Sequence, residues 1–185
     1  MEGVVLITGV MAAGKSTVAQ ALAERLPRAA HVRGDVFRRM VVSGRAEYVP
    51  GSPAGGEAEA QLRLRHRLSA ATADTYAAAG FTAVVQDVVL GPDLAAYVEL
   101  VRTRPLYVVV LAPPPETVAA REKGRTKTGY GAWTVEELDA GLRARTPRIG
   151  LWLDTSELTV AETVEAIVAG RERARGCELL WHDSE

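Results

Sequence analysis

Short hydrophobic runs alternate along the chain with longer segments in which apolar residues recur every third or fourth position. The first run, residues 4–8, consists of β-branched residues and leucine, which is typical of a strand buried on both faces of a parallel sheet. Residues 15–26 follow with apolar positions at helical spacing, and Pro27 ends this segment. The same pattern predicts four further strands, at residues 29–33, 82–86, 106–111 and 149–153.

Helical patterns separate these strands, and residues 48–56 are marked as a loop by their prolines and glycines. A Thr134–Glu137 capping box opens one helix, and Gly80 closes a long alanine-rich one. The predicted helices are 36–42, 57–79, 92–103, 115–123, 134–145 and 159–173. Repeated alternation of strand and helix predicts an α/β fold, with a doubly wound, mostly parallel five-stranded sheet in a single domain spanning residues 1–185.

Composition narrows the class of protein. The 185 residues are 48% hydrophobic and carry a formal net charge of −1, which gives no overall electrostatic footprint for nucleic acid or a membrane surface. Cys177 is the only cysteine, which excludes a disulfide framework and a cysteine-based zinc site. The longest apolar run, residues 106–112, is too short to cross a bilayer, so we expect a cytoplasmic protein without a membrane partner.

A phosphate-binding motif lies between the first predicted strand and the first predicted helix. Residues 9–17 read GVMAAGKST and fit the Walker A pattern G-x-x-x-x-G-K-[ST]. In this context the backbone amides cradle phosphate groups, Lys15 reaches the β- and γ-phosphates, and the Ser16 hydroxyl holds Mg²⁺. The motif predicts ATP and Mg²⁺ as cofactors. The nucleotide-binding residues are Gly9, Ala12, Ala13, Gly14, Lys15, Ser16 and Thr17.

Asp35 follows the second predicted strand, at the sheet edge where doubly wound folds place their ligands. A carboxylate there can accept the proton of an attacking hydroxyl group. Arg38 and Arg39, one turn further on, could orient the acceptor or screen the charge in transfer. The alternative is that Asp35 only caps the N-terminus of the following helix.

Asp87 ends the third predicted strand after a run of small and apolar residues, as a Walker B carboxylate does. Such a residue binds Mg²⁺ directly or through water, or contacts the substrate, although a turn-forming aspartate gives the same pattern. Arg121 and Arg125 lie four residues apart and lead into a glycine-containing segment. They predict a lid at about residues 121–133 that closes over the phosphates, the alternative being a solvated charged helix face.

Together these motifs resemble the small P-loop kinases, from residue 4 to about residue 167. The sequence looks most similar to chloramphenicol phosphotransferase-like proteins and more distantly to gluconate kinase and shikimate kinase. The resemblance implies a nucleoside monophosphate kinase-like fold with a short lid, Asp35 as general base, and Arg121 and Arg125 in the lid over ATP. It also implies that residues 154–156, with Asp154 and Thr155, lie beside the adenine.

Residues 43–59 resemble neither the gluconate kinase pattern nor the antibiotic kinase pattern, so no acceptor-binding residue carries over from these families. At the start of the long helix, we expect a charged solvent-exposed face, with a position towards the acceptor pocket as the alternative. This expectation concerns Glu57, Gln61, Arg65 and His66.

The sequence therefore predicts an ATP- and Mg²⁺-dependent kinase that phosphorylates a hydroxyl group of a small molecule such as an antibiotic or a sugar acid. Its predicted catalytic residues are Lys15, Asp35, Arg121 and Arg125. One alternative is a polynucleotide 5′-hydroxyl kinase, for which the arginines at 38, 39, 45, 63, 65 and 67 could supply a basic channel. The other is a nucleotide-binding regulator without an acceptor. The chain is expected to be a monomer or a homodimer.

Overall fold

The computed structural model describes residues 1–49, 51–124 and 133–175 of the chain. Five strands form one sheet in the order β2-β3-β1-β4-β5, and every neighbouring pair is parallel. The strands are β1 Val4–Gly9, β2 Ala29–Arg33, β3 Thr82–Gln86, β4 Leu106–Leu111 and β5 Leu151–Leu153. The predicted α/β fold with a parallel five-stranded sheet is confirmed.

Helices flank the sheet and connect its strands. They are α1 Lys15–Arg25, α2 Gly34–Met40, α3 Glu57–Ala78, α4 Asp93–Leu100, α5 Pro115–Lys123, α6 Val135–Arg145, α7 Val160–Ala169 and α8 Arg171–Ala174. The Thr134 capping box is present, with the Thr134 hydroxyl accepting from the Glu137 amide and the Glu137 carboxylate accepting from the Thr134 amide. Within the described residues, no helix combines the length and the apolar character needed to cross a membrane.

The core is centred on β1 and β4, in which every residue is buried. Such complete burial requires cover on both faces, as the continuous apolar runs predict. The strand order places β1 between β3 and β4, and helix α1 leaves its carboxyl end. Ligands of doubly wound sheets bind at this edge.

Several element ends differ from the prediction. Helix α2 spans residues 34–40, not 36–42, and three further differences have a tertiary reason. Helix α4 ends at Leu100 because the Asp74 carboxylate accepts the next amides, with Thr103 N–H donating at 2.9 Å. Strand β5 starts at residue 151 because Gly150 has φ +74° and a Cβ there would overlap the β4 backbone. The predicted helix 159–173 is broken at Gly170, which packs against the Leu151 side chain.

Candidate active site

A cleft of about 960 Å³ opens at the carboxyl edge of the sheet. This volume lies at the upper end of the range for small-molecule sites, roughly 300–1,000 Å³. The loop between β1 and α1 lines one part of the cleft, and Asp35, Gln86, Arg121 and Thr155 line the same space. The structure thus brings together residues that lie far apart in the sequence.

The loop between β1 and α1 is tightly turned. Ala12 has φ 61° and Gly14 has φ 96°, so two residues of the turn are left-handed. The Ala13 amide donates to the Val10 carbonyl at 3.3 Å. A left-handed conformation costs a residue with a Cβ roughly 1–2 kcal/mol, and such strain is concentrated at functional sites. Alternating backbone conformations of this kind form anion-binding nests of amides.

Helix α1 begins at Lys15, directly after this loop, and Ser16 is its second residue. The Lys15 side chain is buried, and its Nζ donates to the Val10 carbonyl at 2.7 Å. The Ser16 Oγ donates to Oε1 of Gln86, the last residue of β3, at 3.1 Å. Gly9 lies at the end of β1 with φ +143°, where a Cβ would overlap the Leu111 carbonyl. Glycine is therefore required at the point where β1 leaves β4.

Arg121, from the end of α5, lies over this loop. Its Nη1 donates to the Ala13 carbonyl at 3.4 Å and to the Thr155 Oγ1 at 3.2 Å, while Nη2 donates to the Thr155 carbonyl at 2.6 Å. The guanidinium therefore joins the phosphate loop to the segment after β5. Arg125, and most of the predicted lid at 121–133, lie outside the described residues.

Thr155 is buried at the cleft, whereas the neighbouring Asp154 is exposed and is not among the lining residues. The Asp154 Oδ1 accepts from the Ser156 hydroxyl at 2.7 Å and from its amide at 2.9 Å. These hydrogen bonds lower the pKa of Asp154. Asp154 thus shapes the turn beside Thr155.

Asp35 lies in the first turn of α2 and lines the cleft. Its Oδ2 is 3.0 Å from an Arg39 guanidinium nitrogen, and its side chain is 44% exposed. The N-cap position of α2 is Arg33, and no side chain caps the helix, so the structure does not give Asp35 the capping role. Arg38 also lines the cleft and forms an ion pair with Glu47 at 2.5 Å.

Asp87 is fully buried, and its carboxylate is held by Arg65 of α3. Arg65 Nε donates to Oδ2 at 2.8 Å, Nη2 donates to Oδ1, and the Val88 amide donates to Oδ1 at 2.7 Å. A Cβ on Gly34 would overlap the same carboxylate. Asp87 is not among the lining residues of the cleft, so its contacts favour a buttress beneath Asp35 over a metal ligand.

Three polar residues that the sequence did not assign to the site line the cleft: Gln61, Arg65 and Gln86. The sequence pattern did not identify Gln86. It favoured a solvent-exposed face for the start of α3, which carries Gln61 and Arg65. Burial and then the charge of Arg38 lower the pKa of Arg65 to about 10. Glu57 and His66 are not lining residues; the His66 ring is buried edge-on to Tyr97, with 5.7 Å between centroids. Burial and then Arg65 lower the pKa of His66 to about 4.

Residues 4–148 match the family model described as an AAA domain, and no curated protein matches the chain. Solved structures of kinases share its fold. A sugar kinase from Janibacter sp. HTCC2649 is 18% identical, with a TM-score of 0.68 over 95% of this chain and 97% of that one. APS kinase of Mycobacterium tuberculosis, in complex with AMPPNP and APS, is 18% identical, with a TM-score of 0.66 over 92% and 98%.

A gluconokinase from Sinorhizobium meliloti 1021 is 21% identical, with a TM-score of 0.60 over 100% of this chain and 98% of that chain. At these identities the likeness establishes the fold. The fold is that of the P-loop kinases, as the motifs predict.

Proposed function

We propose that this chain, which belongs to the AAA domain family, is an ATP-dependent phosphotransferase that transfers the γ-phosphoryl group to a hydroxyl group of a small molecule. One observation carries the proposal. The phosphate loop, Arg121 and the carboxylate of Asp35 line the same cleft. The Asp35 carboxylate could accept the proton of an acceptor hydroxyl, whereas the phosphate loop and Arg121 would contact the nucleotide.

The residues around the phosphate loop, at one end of the cleft, could hold Mg²⁺ and a triphosphate. The left-handed turn at Ala12 and Gly14 presents amides for phosphate oxygens, and the Lys15 ammonium supplies a charge beside them. The Ser16 hydroxyl and the Gln86 amide oxygen, 3.1 Å apart, are oxygen donors of the kind that Mg²⁺ or its bound water prefers. When bound, Mg²⁺ would neutralise charge on the β- and γ-phosphates.

Arg121 would contribute at the same end. Its hydrogen bonds to Ala13 and Thr155 hold the guanidinium beside the loop before any ligand arrives. A cation held in advance stabilises the charge of the transferring phosphoryl group without a reorganisation cost. We place Thr155 beside the adenine of the nucleotide, as the resemblance to small P-loop kinases implies.

The acceptor end would use Asp35. Its carboxylate takes the proton of the acceptor hydroxyl while that oxygen forms a bond to the γ-phosphorus. The bond between the γ-phosphorus and the bridging oxygen breaks, and ADP leaves with the electron pair. Arg39 lies 3.0 Å from the Asp35 carboxylate and places a positive charge beside it.

The charge pattern favours a small molecule over a nucleic acid as acceptor. Within the described part of the chain, five of the six arginines that could form a basic channel form ion pairs with four carboxylates. Arg38 and Arg45 pair with Glu47, Arg39 pairs with Asp35, Arg63 pairs with Glu59, and Arg65 pairs with Asp87. A polyanion would compete with these carboxylates for the arginines.

The test measures phosphoryl transfer from ATP to a panel of hydroxyl-bearing metabolites and antibiotics. The panel is run on the parent protein and on Asp35→Asn, with AMPPNP affinity measured by calorimetry. The proposal expects acceptor-dependent ADP release that the substitution abolishes while AMPPNP affinity stays within about threefold, because Asp35 acts on the acceptor and not on the nucleotide. Undiminished transfer by Asp35→Asn would refute the assignment of the base.

A further inference from the structure

The strand order gives the cleft two distinct ends. The phosphate loop follows β1, which lies in the middle of the sheet. Asp35 follows β2 at one edge of the sheet, and Thr155 follows β5 at the opposite edge. A nucleotide whose γ-phosphate points towards Asp35 must therefore direct its base towards the β5 side of the loop.

The wall on this side is formed by the segment between β5 and the first turn of α7. Four of its residues line the cleft, and we call them the β5 wall: Thr155, Leu158, Val160 and Thr163. Leu158 and Val160 are apolar, and Val160 is 38% exposed. Apolar contact is non-directional, so it holds the face of a base without recognising the groups on its edge.

The polar groups of the β5 wall are already engaged. Thr155 Oγ1 accepts from Arg121 Nη1 at 3.2 Å, and the Thr155 carbonyl accepts from Arg121 Nη2 at 2.6 Å. The Thr163 hydroxyl donates to the Thr159 carbonyl at 2.8 Å. Both lining threonines are buried, which leaves their hydroxyl groups little room to turn towards a ligand.

The polar residues between these threonines bond to one another. The Ser156 hydroxyl donates to Asp154 Oδ1 at 2.7 Å, and Thr159 forms the capping box of α7 with Glu162. None of these four residues lines the cleft. Every hydroxyl group of residues 154–163 thus has a hydrogen-bond partner before a nucleotide binds.

Adenine and guanine share a two-ring body and differ at their hydrogen-bonding edges. The adenine N6 group donates where the guanine O6 atom accepts. A site built to hydrogen-bond one substrate rejects an analogue that lacks the group by about 10⁴–10⁵-fold, whereas an apolar site discriminates weakly. The side chains of the β5 wall are of the second kind.

We infer that the donor site holds the base by apolar contact and binds GTP about as tightly as ATP. The donor class is then the purine nucleoside triphosphates, not ATP alone. This inference rests on the proposed function, because that function points the γ-phosphate towards Asp35 and the base towards the β5 wall.

The experiment measures the affinities of AMPPNP, GMPPNP and UMPPNP by calorimetry with Mg²⁺ present. The two purine analogues should differ by less than about fivefold, because the β5 wall does not recognise the edge that distinguishes them. UMPPNP should bind about tenfold more weakly than either, since its single ring buries less apolar surface.

Two substitutions of matched exposed aliphatic residues test the wall itself. Val160→Ala should weaken AMPPNP and GMPPNP by the same factor, about threefold, because the lost apolar contact is common to both bases. Leu100→Ala is the control. Leu100 is 36% exposed and is not among the lining residues, so no affinity should change.

The outcomes separate this inference from the proposed function. A preference of more than fivefold for either purine analogue would overturn the inference and leave the phosphotransferase function standing. Equal affinity for UMPPNP and the purines, or unchanged affinities in Val160→Ala, would also overturn it, because the β5 wall would then not hold the base. Absence of binding of all three analogues would refute the proposed function itself.

Discussion

Asp87→Asn tests the view that the buried carboxylate is a structural buttress. The substitution keeps the size of the side chain and removes its charge. Asp87 is fully buried and the Arg65 side chain is 15% exposed, so the variant leaves an arginine with little access to water and no counter-charge. Breaking a buried pair from one side costs about 3–5 kcal/mol, and the lower end applies here because Arg65 reaches the cleft.

For a chain of this size each kcal/mol corresponds to roughly 2–4 °C, so the Tm should fall by about 6–12 °C. Thermal and urea unfolding followed by circular dichroism measure this change. Arg63→Gln is the matched control, since it breaks an exposed pair with Glu59 in which Arg63 is 52% exposed. Such surface pairs contribute about 0–1 kcal/mol.

A second variant distinguishes loss of a pair from loss of a charge. Replacing both partners, as Arg65→Met with Asp87→Leu, removes the uncompensated arginine and should recover most of the stability lost in Asp87→Asn. A Tm for Asp87→Asn within about 2 °C of the parent would refute the reasoning, because that loss is no larger than expected for a surface pair. It would return Asp87 to the candidates for Mg²⁺ binding.

Three further predictions follow from the same geometry. The pKa of His66 lies at about 4, below its unfolded value of 6.5. The contribution of the neutral His66 ring to the free energy of unfolding is therefore fully present above pH 6.5. This contribution falls by about 3 kcal/mol as the pH drops towards 4. His66→Phe should flatten this dependence in urea melts at pH 7 and pH 4.5, and an unchanged slope would contradict the assignment. Arg121→Ala should lower kcat about 10²–10³-fold, because it removes a preorganised cation. A steady-state assay with saturating ATP measures this, and a change in KM alone would argue against it. Gly34→Ala should overlap the Asp87 carboxylate, cost about 1–3 kcal/mol in thermal unfolding and lower acceptor turnover. Unchanged melting would exclude the close contact.

Most of the fold could be predicted from the sequence because its signals are local. The apolar runs of β1 and β4 require burial on both faces, and the Thr134 capping box marks the start of α6 without any tertiary information. The errors arose where distant residues decide an element's end. The Asp74 carboxylate on α3 accepts hydrogen bonds from the backbone amides that would have continued α4. No pattern within residues 92–103 predicts this contact.

The position of the loop between β1 and α1 at the sheet edge could also be predicted, because the loop is contiguous in sequence. The rest of the cleft lining could not be predicted, because it is assembled from α2, the segment after it, α3 and Trp133. In the sequence, Arg65 cannot be distinguished from the other charged residues of α3. Its role depends on Asp87, 22 residues away, and on burial that a charged residue reaches only with a partner.

Two adjacent residues at the end of β3, Gln86 and Asp87, have different contacts. Adjacent side chains on a strand point in opposite directions. Gln86 meets the Ser16 hydroxyl in the cleft, whereas Asp87 meets Arg65 and the backbone at Gly34. The amide therefore lies beside the start of α1 in the cleft, and the carboxylate lies against the turn that carries Asp35. A Walker B pattern in the sequence selects the acid, whereas the side chain that accepts the Ser16 hydrogen bond lies one position earlier, at Gln86. Metal affinity, measured by Mn²⁺ binding with AMPPNP present, should consequently respond more to Gln86→Leu than to Asp87→Asn.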